Sequence, residues 1–127
     1  MRKLMVAFAV LAFAVLLTVP VLAATETITG KVIDQSCYKA DQSNTGVDHK
    51  MKSGDVKDCA IDCAKKGRPL ALLTTDGKVY TIGGGLAASN NEKLVAHVSH
   101  TVAITGDVTP KDGAMMIASD ALKMVSR

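Results

Sequence analysis

The residues of this chain best suited to chemistry are three cysteines and one histidine: Cys37, His49, Cys59 and Cys63. Cys59 and Cys63 stand four residues apart in the run DCAIDCAKKG, residues 58–67, which is about one turn of a helix. At that spacing two Cβ atoms lie ~5–6 Å apart, whereas a disulfide needs ~3.5–4.5 Å, so the pair is poorly placed to bond to itself. The same spacing suits two ligands on one ion, as where zinc proteases place two histidines at i and i+4. Cys37 can then supply a third sulfur and His49 a nitrogen. Three thiolates and an imidazole form a closed tetrahedral zinc site or a soft pocket for Cu(I), to which Met51 could add a thioether. Thiolate ligands must lose their protons, so binding should weaken as pH falls.

Two other readings of the same residues stay open. In an oxidising compartment Cys37 could bridge to Cys59 or to Cys63 and leave one thiol unpaired. Alternatively, all three are small buried residues. Thioredoxin-type chemistry uses Cys-x-x-Cys, and this spacing is one residue longer. Cys63 is followed by Ala64, not by the His of a haem attachment motif.

The elements that must position these residues follow from periodicity. ETITGKVID (26–34) alternates Ile28, Gly30 and Val32 against Thr27, Thr29 and Lys31, the pattern of a half-buried strand. Residues 35–54 are polar and turn-rich, an irregular segment carrying Cys37 and His49. A helix is predicted over 56–66, capped by Asp55, with Asp58 near its positive end, and stopped by Gly67 and Pro69. On it Val56, Cys59, Ala60, Cys63 and Ala64 form one apolar stripe, while Lys57, Asp58, Asp62, Lys65 and Lys66 face water. PLALLTTDGKVYTIGG (69–84) reads as two strands joined at Asp76-Gly77. A flexible linker and a short helix capped by Asn90 or Asn91 fill 83–98. HTVAITGDVTP (100–110) alternates again, and after a turn at 110–113 a last strand runs near 114–122.

ITGKV at 28–32 recurs as ITGDV at 104–108. A glycine in mid-strand marks a bend or a close backbone approach, so the echo suggests two corners of a small, curved barrel. The predicted fold is mainly β with short helices: a five-stranded OB-like barrel with a helix inserted after strand 1.

The compartment is read from the N-terminus. Arg2 and Lys3 precede an apolar run from Leu4 to Leu17, then Pro20 and the small-residue site Val21-Leu22-Ala23. This is the layout of a secretory signal peptide (residues 1–23), cleaved after Ala23 to leave a single domain, residues 24–127. The apolar run is shorter than the ~20 residues of a membrane span. Arg2 and Lys3 account for two of the 15 basic residues, leaving 13 against 12 acidic ones, a balance of +1. Phe8 and Phe13 also fall in this segment, so residues 24–127 hold only Tyr38 and Tyr80 as aromatics. Such a core lacks the large areas aromatics bury, and a covalent or metal staple would help it.

With these motifs in view a resemblance emerges. Gly30-x-Val32-x-Asp34-x-x-Cys37, a loop His, Cys59-x-x-x-Cys63 and Gly67 resemble a group of small exported bacterial domains. So do Gly77-Lys78-Val79-Tyr80, Ala96-His97 and Val102-x-Ile104-Thr105-Gly106. The resemblance, to periplasmic OB-fold proteins, implies an OB-like fold and export and carries no established reaction. The long segment between Cys37 and Cys59 departs from the shorter family pattern.

Other functions find little support. A near-neutral charge and two tyrosines poorly equip an OB barrel for single-stranded nucleic acid. Gly83-Gly84-Gly85 lacks the Lys-Ser/Thr ending of a phosphate loop and is read as a hinge. Lys65, Lys66 and Arg68 suit the negative end of a helix. His97 and His100 could form a second small metal site or stand as strand-edge histidines. No pair of carboxylates or Ser/His/Asp order assembles a hydrolase, so no hydrolase is expected, and the question of an enzyme stays open with the balance leaning against one. The leading expectation is an exported periplasmic protein binding zinc or copper through Cys37, His49, Cys59 and Cys63. The competing one is a disulfide-stapled interaction or envelope stress-tolerance module whose partner is an envelope protein.

Overall fold

The computed structural model describes residues 22–45 and 59–127. Strand β1 (Ala24–Asp34) leads into helices α1 (Gln35–Ala40) and α2 (Cys59–Lys65). Strands β2 (Leu70–Leu73) and β3 (Val79–Gly83) follow, then a 3-10 turn (Gly84–Leu86), helix α3 (Ala88–Val95), and strands β4 (Thr101–Lys111), β5 (Ala114–Ala118) and β6 (Lys123–Ser126).

Five of the strands close on themselves. β1 runs antiparallel to β2 and to β4, β2 to β3, and β4 to β5, while β3 and β5 pair in parallel. This ring is the expected OB-like barrel, with helices inserted after its first strand. β6 corrects the expected ending: the last barrel strand stops at Ala118, and a short sixth strand pairs antiparallel with the start of β4.

The alternation read from sequence is the alternation of burial. Val32, Val102, Ile104 and Val108 are buried, with Leu70, Leu72, Ile82, Leu86, Leu94 and Ile117 closing the core. The two ITG segments prove to be partners across one seam. Ile28 faces Ile104, Gly30 faces Val102 and Gly106 faces Glu26, so the echo is related by a local two-fold about the isoleucine pair. Each glycine sits where another backbone crowds it. A Cβ on Gly30 would lie 2.8 Å from the Leu73 carbonyl oxygen, and one on Gly106 would collide with the Ala118 carbonyl. Both are the close approaches that a mid-strand glycine signals.

Two local expectations are corrected. Residues 35–40 are helical, not irregular. The segment 83–87 is no flexible linker: the Leu86 amide donates to the Ser119 carbonyl (2.9 Å), the Ser119 amide to the Gly83 carbonyl (3.2 Å) and the Gly85 amide to Asp120 Oδ1 (2.9 Å).

Candidate functional site

The site is built on the two helices between β1 and β2. α1 begins where β1 ends because Asp34 serves both elements. Its backbone is extended, and its Oδ1 accepts from the Cys37 amide at 2.9 Å, satisfying one of the donors a helix start leaves open. Gln35, buried beside it, accepts at Oε1 from the Thr81 hydroxyl (3.0 Å) and ties α1 to β3. Cys37 is thereby held in the first turn, close to the barrel wall.

α2 carries the other two cysteines. Ala60 and Ala64 are 1% and 0% exposed and pack into the core, Cys59 and Cys63 are half-buried, and Asp62, Lys65 and Lys66 face water. The stripe read from sequence is therefore present over the described part of the helix. Asp55, Val56 and the predicted helix start lie outside the described residues. Gly67, at φ +79°, takes the left-handed conformation common just past a helix end, and the Gly67 amide donates to the Ala64 carbonyl at 2.9 Å.

Asn91 fastens this end of α2. Neither Asn90 nor Asn91 caps α3: Ala87 stands at its start without a side-chain cap, and Ser89, Asn90 and Asn91 are all left-handed. The Asn91 side chain is instead 2% exposed, and its amide donates to the carbonyls of Ala64 and Arg68, both at 2.9 Å. A single asparagine thus satisfies two helix-end acceptors and joins α2 to α3. The feature that could have revealed it is the preference of asparagine for left-handed backbone.

The result is a triangle of sulfurs. Cys37 Sγ and Cys59 Sγ are 3.9 Å apart, and the Sγ atoms of Cys37, Cys59 and Cys63 all lie within 4.8 Å of one another. None is bonded to another. Around a tetrahedral ion with Zn–S bonds of ~2.3 Å, neighbouring sulfurs sit ~3.8 Å apart. The Cys37–Cys59 edge matches that separation, and the donor set fits a thiophilic ion. His49 and Met51 lie outside the described residues.

The surroundings hold the Cys37 and Cys63 thiols protonated. Burial pushes Cys37 up to about 12, helped by the negative charge of Asp34 and then by the neighbouring thiols Cys59 and Cys63. Cys63 is raised to about 11, first by burial and then by contact with the Asp34 carboxylate, with Cys59 adding less. Asp34 is the residue at this corner that sequence reasoning missed as a site member. It is 2% exposed, and its Oδ2 has no hydrogen-bond partner among the described residues.

The other candidates do not assemble into sites. His97 and His100 meet edge to face with ring centroids 6.0 Å apart. Each has a buried Nδ1 without a hydrogen-bond partner among the described residues. The three cysteines form the only group of three or more potential metal ligands among those residues, so the histidine pair has no third donor. Also among the described residues, no helix is long and apolar enough to cross a membrane.

Set beside known proteins, the chain matches no family model, no curated protein and no solved structure.

Proposed function

We propose that this protein binds one soft metal ion, zinc or copper, through the thiolates of Cys37, Cys59 and Cys63, with His49 offered from the intervening segment. The observation that carries the reading is the sulfur triangle itself: three thiols from two helices within 4.8 Å of one another. Surface cysteines scattered for other reasons have no cause to converge in this way, and thiolates select ions of the zinc and Cu(I) type over hard cations. The apolar N-terminal run and the resemblance to exported OB-fold domains support action in the periplasm after signal-peptide cleavage. In this reading the domain is a non-catalytic binding protein, and the ion would also staple a core that has few aromatics.

The 3.9 Å contact of Cys37 with Cys59 favours one alternative, a disulfide between them that leaves Cys63 as a spare thiol in an interaction module. Intact mass measured without reductant on protein purified from the periplasm separates the two. Three free thiols with one equivalent of zinc or copper is the expected result. A deficit of two hydrogens with no bound metal overturns the metal reading.

A further inference from the structure

Resting on the metal reading, we infer that the buried carboxylate of Asp34 is the charge selector of the centre, setting it for a divalent ion such as Zn(II) over monovalent Cu(I). The carboxylate is 2% exposed. One of its oxygens accepts from the Cys37 amide at 2.9 Å, and the other is buried with no hydrogen-bond partner among the described residues. The same carboxylate is near enough to the Cys63 thiol to raise it, so its charge acts on more than one of the three sulfurs. No ion pair among the described residues involves it: the one they contain joins Lys78 to Asp76.

A buried anion without a counter-charge is costly, and a cation among the three sulfurs answers it. A disulfide between Cys37 and Cys59 is neutral and would leave the anion unanswered. Once the thiolates form, Asp34 brings the negative charge of this corner to four. By Coulomb's law each of those charges attracts a dication twice as strongly as a monocation at the same place. Asp34 therefore contributes about twice as much to the logarithm of the Zn(II) affinity as to that of Cu(I). Its effect follows the charge of the ion and not its softness.

Two neutral replacements keep the cap while removing the charge, because Asn and Ser both serve well at a helix N-cap. Asp34→Asn and Asp34→Ser are compared with the wild-type protein by chelator competition with Zn(II), Cd(II) and Cu(I), and all three proteins are checked by circular dichroism. The expected loss is ~10–100-fold for Zn(II), the range typical of residues that support metal ligands, and about the square root of that loss for Cu(I). Cd(II), soft but divalent, should follow Zn(II). Equal losses for all three ions would mean that Asp34 merely positions Cys37, and would overturn the inference. So would Cd(II) falling with Cu(I), or no change in any affinity. If wild-type protein binds none of the ions, the metal reading fails and this inference falls with it. Wild-type binding with unaltered variants sinks the inference alone.

Discussion

The seam between β1 and β4 and the corner formed by α1 and α2 are built on opposite terms. Along the seam eight residue pairs run in unbroken antiparallel register from Ala24–Val108 to Lys31–Thr101. Even its solvent face is satisfied: Thr25 donates to Asp107 at 2.8 Å, and the Thr27 and Thr105 hydroxyls share a hydrogen bond of 2.7 Å. At the corner two thiols are held protonated, a buried carboxylate oxygen lacks a partner among the described residues, and α1 is six residues long. A helix this short is not stable by itself and depends on tertiary contacts. The seam supplies stability from its own residues, whereas the corner is arranged as a receptor.

The contrast breaks most visibly at the core side of the seam. Ile104 is fully buried opposite Ile28, and Ile104→Ala should cost about 2–5 kcal/mol in urea unfolding, the range for deleting a large aliphatic side chain from a core. Metal should raise the denaturation midpoint of this variant by the same increment as in wild type, because the ion acts at the corner and not through the seam. A variant that unfolds but gains no stability from zinc would show the two regions to be one cooperative site.

What could be read from sequence divides along the same line. β1 and β4 were legible because their burial alternates over many residues, and the Asp76-Gly77 turn because its chemistry is local. α1 was hidden: six residues are too few for a helical period, and Asp34 looks like the end of a strand while acting as the cap of a helix. β6 escaped for a related reason, being four residues long with only Met124 half-buried. The spacing of Cys59 and Cys63 on one face was legible and Cys37 was legible as a third sulfur, and the structure adds the helix that carries Cys37 and had no sequence signal. Asn91 looked like a local cap, yet its side chain answers carbonyls on another helix, a tertiary contact that no nearby residue announces.

Asn91 offers the next test, smaller than the core deletion. Asn91→Ala removes two hydrogen bonds, takes the side-chain donor from the Arg68 carbonyl, leaves the Ala64 carbonyl with the Gly67 amide alone and places alanine at φ 59°. A loss of about 1–3 kcal/mol is expected. The sharper consequence concerns the corner: α2 loses its anchor while the seam is untouched. Hydrogen exchange should therefore quicken in α2 and α3 and stay unchanged across β1 and β4. Uniform acceleration would erase the distinction between the regions.

The smallest effect separates the regions by pH. Cys37 and Cys63 are raised from 9.0 to about 12 and about 11, so the folded metal-free protein favours the thiol forms more than the unfolded chain does. Their contribution to stability is complete below pH 9 and is lost as pH rises towards 11–12. Metal binding has the opposite sign, since it needs thiolates and weakens as pH falls. At pH 8 the thiolate fraction of Cys37 is about a thousandth of that of an ordinary cysteine, and that of Cys63 about a hundredth. A thiol of higher pKa is also intrinsically more nucleophilic, which restores nearly half of each logarithm. The net expectation with an aromatic disulfide reagent is reaction slower by about one to two orders of magnitude at Cys37, and by a smaller factor at Cys63, than in the urea-unfolded chain. Mass mapping of the labelled residues measures both rates. If Cys37 reacts as fast folded as unfolded, the corner does not hold its thiols protonated, and the difference in character between corner and seam reduces to burial alone.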